Sequence, residues 1–134
     1  MSTYRAAAYR PTTGEQKGEI VKKMGKQSEP LTESYFYILL CLYGGDNHGY
    51  GIMQMTEQLS GGRVKIGSGT MYGATGNMLK KGWIVERPEI GGERRRMYRM
   101  TDTGREVFLE EYHRISELSE SARQVIENAE NAKN

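Results

Sequence analysis

The C-terminal segment constrains this chain more than any other part of it. Phe108, Ile115, Ala122 and Ala129 recur every seven residues, with Tyr112, Leu118, Val125 and Ile126 between them. That spacing predicts one long helix with a single apolar stripe, running to about residue 128. A chain of 134 residues builds one compact core, and one small domain cannot easily cover such a stripe. A second copy of the chain would cover it, with Phe108, Tyr112, Ile115, Leu118, Ala122, Val125 and Ile126 as the dimerisation residues. Thr101 caps this helix directly, or Thr103 opens a capping box with Glu106.

Upstream, shorter periodic segments alternate with glycine-rich stops. Thr32 can cap a helix reaching Tyr43, with Tyr35, Ile38, Leu39 and Leu42 spaced by three and four. "GGDNHG" ends it as a turn. A second helix spans about Tyr50 to Ser60, with Ile52, Met55 and Leu59 on one face, and Gly61 and Gly62 close it. Ser68 or Thr70 can cap a third helix that stops at Gly82. Trp83 to Arg87 and Arg96 to Met100 read as two strands around a loop marked by Pro88, Gly91 and Gly92. The expected fold is mainly α with a small β-hairpin: a winged helix-turn-helix followed by a long C-terminal dimerisation helix. Residues 1–28 then form a flexible basic arm, 29–101 the winged domain, and 102–134 the dimerisation helix and tail.

Charge follows the same divisions. Residues 1–28 carry net +4, 29–59 net −4, 60–100 net +6 and 101–134 net −4. A basic block between acidic ones gathers polyanions on one face. The longest apolar run, "YFYILLCLY", is nine residues, about half a membrane span. The start "MSTYRAAAYRP" lacks the apolar segment of a secretory signal, so a cytoplasmic protein is expected. The single cysteine, Cys41, lies in the apolar run and reads as a small buried hydrophobe.

"KIGSGTMYGATGN" resembles a phosphate loop, but Gly67, Gly69 and Gly73 are spaced one residue too long for the dinucleotide fingerprint. No Gly-Lys-Ser/Thr closes a Walker loop either. The same helix start can instead offer its unpaired amides to a DNA phosphate, which makes it the N-terminal side of a recognition helix. No cofactor is expected. Cys41, His48 and His113 fall on three elements and lack the spacing of a metal site. No nucleophile elbow or Cys/His pairing points to catalysis, and the carboxylates of the last helix read as a solvated face.

The pieces "HGYGI", "GTMYGA" and "RRMYRMTDTG" together resemble the PadR family of bacterial transcriptional regulators, over about Leu31 to Gly104. The resemblance implies a winged helix-turn-helix, a homodimer held by the C-terminal helix, and a repressor released by a small, often aromatic, molecule. The short segment after the wing resembles the subgroup with a single C-terminal helix. Tyr72 stands at the aromatic position of the family motif, Met71 replaces its usual leucine, and Gly76 stands where a longer side chain is usual.

Ser68, Thr70 and Tyr72 sit near the third helix's start as phosphate or base-edge ligands; Tyr72 alternatively packs against the wing. Asn77 suits adenine if it faces the groove and is otherwise a surface amide. Lys65, Lys80 and Lys81 are candidate phosphate clamps, and Arg94, Arg95 and Arg96 give the wing a basic tip, of which strand alternation brings one or two to the nucleic acid. Tyr35, Phe36, Phe108 and Tyr112 offer aromatic walls for a flat effector, or simply core. The partner expected is double-stranded DNA with an inverted-repeat operator. The competing reading is a winged protein-interaction module holding an acidic protein.

Overall fold

The computed structural model describes residue 15, residues 29–88, residue 91 and residues 95–133. The expected arm at 1–28, apart from Glu15, and the wing-tip residue Arg94 lie outside the described residues. In chain order the described elements are α1 (Glu33–Tyr43), β1 (Asn47–His48), α2 (Gly49–Leu59), α3 (Ser68–Lys80), β2 (Ile84–Glu86), β3 (Met97–Met100) and α4 (Asp102–Ala132). No helix among them is long and apolar enough to cross a membrane.

The helix ends obey local chemistry. The Thr32 hydroxyl accepts from the Tyr35 amide and caps α1. At the other end of α2, Gly61 and Gly62 take positive φ and donate to the Gln58 and Glu57 carbonyls. Gly82, at φ 73°, does the same for α3, with the Gly82 and Trp83 amides returning to Leu79 and Met78. The start of α3 differs from expectation: Gly67 is the N-cap, no side chain caps the helix, and neither Ser68 nor Thr70 serves there. Thr101, rather than a box opened by Thr103, caps α4 by accepting from the Gly104 amide.

The hairpin is a three-stranded antiparallel sheet in the order β1-β3-β2. Ile84 faces Met100 and Glu86 faces Tyr98 across β2 and β3, while Asn47 and His48 pair with Tyr98 and Met97. The turn expected at "GGDNHG" therefore contributes an edge strand, which ties the entrance of α2 to the wing.

One core joins the four helices and strands β2 and β3. Ile38, Leu39, Cys41 and Leu42 of α1 meet Ile52 and Met55 of α2, Met71, Ala74 and Met78 of α3, Ile84 and Tyr98 of the sheet, and Phe108 and Leu109 of α4. Leu59, expected on the apolar face of α2, is exposed; Thr56 takes the buried place instead. The Cys41 sulfur lies 3.7 Å from the Thr56 hydroxyl, and burial pushes its thiol pKa up to about 11, so it stays a neutral packing group. Glu111 is the exception to the solvated carboxylates of α4. It is 1% exposed, and it accepts from the Leu31 amide and from Arg114, clamping the chain entering α1 to α4.

Candidate nucleic-acid interface

Helix α3 is amphipathic by volume rather than by polarity. Met71, Ala74, Thr75 and Met78 face the core, and Thr75 returns its hydroxyl to the Met71 carbonyl. The opposite side carries Ser68, Thr70, Tyr72 and Lys80, all exposed. Between them lie Gly69, Gly73 and Gly76, at positions where an added β-carbon would meet nothing within 4 Å. The outer face is therefore low, and Tyr72, 66% exposed, rises from it. Each interior glycine costs the helix about 1 kcal/mol relative to alanine.

Tyr72 looks across to the wing. A cleft of about 520 Å³ is lined by His48, Gly49 and Tyr50 at the start of α2, by Tyr72 of α3, and by Arg95, Arg96 and Tyr98 of the wing. The β1–β3 pairing creates it, because it holds the first turn of α2 beside the wing arginines. Tyr50 is 63% exposed there. The His48 imidazole caps α2 by accepting from the Gly51 amide at 3.0 Å through Nδ1, while its Nε2 lies 2.9 Å from Arg95 Nη1. Burial, and then the charge of Arg95, lower the His48 pKa below 6.5. Arg96 stands 3.8 Å from Glu86 in a solvent-exposed pair, a contact worth little by itself.

The structure separates the remaining candidates. Lys65 stands 3.7 Å from Glu57 in another exposed pair. The Lys81 ammonium lies 4.8 Å from the centre of the Trp83 ring. Lys80 makes no ion pair among the described residues and points outward near the end of α3. Asn77 is half-buried on the side of α3 next to α1. Its amide donates to the Tyr35 hydroxyl at 3.0 Å, bracing α3 against α1, which engages the group that an adenine contact would need.

Sequence reasoning passed over Tyr50 and His48 as site residues. "HGYGI" carried both, but the spacing alone shows no reason for the loop before α2 to meet the wing.

The aromatic quartet does not surround one space. Tyr35 stands edge-on to Trp83 at 6.5 Å and borders a cleft of about 280 Å³ with Leu31 and Lys81. Phe36 and Tyr43 both pack on Phe108, at 5.1 and 5.3 Å between ring centres. Phe108 is thus covered by its own chain, and its expected place in the dimer stripe is corrected to the protomer core. Beyond it, α4 leaves Tyr112, Ile115, Leu118, Val125 and Ile126 from 40 to 69% exposed.

Residues 38–110 match the sequence model of the transcriptional regulator PadR-like family. A transcriptional regulator from Clostridium thermocellum is similar in structure, with a TM-score of 0.53 and 28% identity, over 70% of this chain and 89% of that one. The Bacillus subtilis PadR in complex with operator DNA matches at TM-score 0.53 and 24% identity, over 61% of this chain and 47% of its own. A PadR family regulator from Clostridium difficile shares the fold at TM-score 0.60 and 19% identity, over 71% and 99% of the two chains. Among curated proteins, an uncharacterized 37.1 kDa protein in transposon TN4556 of Streptomyces fradiae is 34% identical over 87 residues, 65% of this chain. This chain spans only 24% of that relative's length.

Proposed function

Because the chain belongs to the transcriptional regulator PadR-like family, we propose that it is a cytoplasmic homodimeric repressor that binds an inverted-repeat operator in double-stranded DNA and is released by a small aromatic effector. The observation that carries this reading is the shared cleft: an outward-facing α3 with Tyr72, the first turn of α2, and Arg95 and Arg96 of the wing open onto one space. Backbone amides at a helix start and guanidinium groups are the two protein groups best matched to phosphate oxygens.

In this reading residues 29–101 engage DNA. Ser68, Thr70 and Tyr72 enter the major groove, with the low glycine face allowing close approach. Lys65, Lys80 and Lys81 give the surrounding positive charge, and Arg95 and Arg96 reach the flanking backbone. The likeness in fold to a solved PadR in complex with operator DNA supports the DNA-binding part of this reading. Residues 102–134 pair the subunits through Tyr112, Ile115, Leu118, Ala122, Val125 and Ile126, an apolar row on a helix about 46 Å long. A second α4 laid over this row would lie against the exposed ring of Tyr112, where a flat effector would alter subunit spacing. Such release requires the effector to favour one spacing over the other.

Selection of bound fragments from the source genome, followed by footprinting, tests the reading. Two protected half-sites about 34 Å apart, related by inversion, support it; protection of a single site, or retention of no fragment, contradicts it.

A further inference from the structure

The His48–Arg95 contact contains a conflict of donors. A neutral imidazole has one nitrogen that donates and one that accepts, and a guanidinium only donates. His48 Nδ1 lies 3.0 Å from the Gly51 amide nitrogen, which also only donates, and Nε2 lies 2.9 Å from Arg95 Nη1. The ring can satisfy one of these two neighbours. Gly51 lies in the first turn of α2, where an amide has no partner inside the helix, whereas the Arg95 side chain is exposed and can turn to water. Nδ1 therefore accepts from Gly51 and Nε2 carries the proton. With Nε2–H facing a guanidinium that only donates, the 2.9 Å contact holds no hydrogen bond, and an acceptor that reached both groups from the cleft would relieve the conflict.

We infer that His48 and Arg95 form a two-donor clamp for a single phosphate oxygen of the DNA backbone. The inference rests on the DNA-binding reading and names the group that occupies its cleft. A phosphate oxygen has the lone pairs to accept from both donors and carries the charge that Arg95 and the first turn of α2 attract. The exposed hydroxyls of Tyr50 and Tyr72 line the same space and widen the donor set. His48 acts here as a neutral donor, in keeping with the burial and the adjacent guanidinium that disfavour its charged form.

The test compares the wild-type chain, His48→Asn, Arg95→Ala and the double variant on one duplex across a KCl series. Asparagine at an N-cap still accepts from the Gly51 amide, so His48→Asn keeps the start of α2 and replaces the ring N–H in the cleft by a shorter amide donor. It should weaken binding roughly 2- to 10-fold on every sequence and leave the salt slope unchanged. Arg95→Ala should also lower the slope by about 0.9. The double variant should lose less than the product of the single losses, because both donors serve one oxygen. In ¹⁵N spectra of the free protein His48 should be the Nε2–H tautomer, and that proton should move downfield with duplex but not with millimolar inorganic phosphate.

Wild-type affinity in His48→Asn, independent multiplication of the two losses, or an Nδ1–H tautomer overturns the clamp while leaving duplex binding standing. A shift with inorganic phosphate equal to that with duplex overturns the DNA source. A wild-type chain that retains no duplex overturns the DNA-binding reading as well.

Discussion

Gly104, in the first turn of α4, lies directly against the carbonyl of Trp83: a β-carbon added there would collide with that oxygen. The contact is backbone against backbone, because Thr101 holds the turn in place, accepting from the Gly104 amide while donating to the Gly82 carbonyl. Gly82, Trp83, Thr101 and Gly104 thus join the end of α3, the entrance to β2 and the start of α4. Gly104→Ala should therefore destabilise the fold by about 1–3 kcal/mol, since neither partner is a flexible side chain that can step aside. Urea unfolding at fixed protein concentration measures it; a loss below about 0.5 kcal/mol would show that α4 is not so closely seated.

His48 makes stability depend on pH. Its folded-state pKa is held below 6.5 by burial first and by Arg95 second, so the unfolded chain binds the proton more readily. Stability from this group is then fully present at neutral pH and is lost as pH falls through 6.5 towards the folded value. Thermal unfolding followed from pH 7.5 to 5.5 should show this fall, and His48→Asn should reduce its steepness. An identical pH profile in the variant would assign the titration to other groups.

Asn77 should behave as a brace and not as a reader of bases. Asn77→Ala removes the bond to the Tyr35 hydroxyl and should cost about 1 kcal/mol of stability, while base preferences within the operator stay unchanged. Relaxed preference for adenine at one operator position would contradict the structural placement and restore a groove contact.

Pairing through α4 should be sensitive to charge at its centre. Leu118→Glu places a carboxylate in the middle of the exposed apolar row, where burial without a partner costs several kcal/mol. Sedimentation should show a dimer in the wild-type chain and single chains in the variant, with the winged domain's circular dichroism retained. A variant that still sediments as a dimer would move the interface elsewhere.

Much of this arrangement was legible from local chemistry. Ile38, Leu39 and Leu42, or Met71, Ala74 and Met78, repeat at helical spacing and end at glycines whose positive φ stops a helix. The strands from Trp83 to Met100 lie between turn signals. What escaped was decided by partners distant in sequence. Two residues, Asn47 and His48, are too few to show a strand period, and they become a strand only because β3 offers an edge. The choice of Thr101 over Thr103 as cap depends on the Gly82 carbonyl, 19 residues away. Asn77 turns inward because Tyr35, 42 residues earlier, presents a hydroxyl. Glu111 is buried because Leu31, 80 residues earlier, needs an acceptor. The cleft followed from these closures, so the sequence marked His48 and Tyr50 as part of a motif without placing them beside the wing.

The most direct test of DNA engagement by this cleft is the salt dependence of duplex binding in the wild-type chain and in the Arg95→Ala, Arg96→Ala double variant. The account predicts weaker binding to all sequences and a log–log slope shallower by about 0.9 for each phosphate contact removed. An unchanged slope would contradict it, because the wing arginines would then lie away from the nucleic acid.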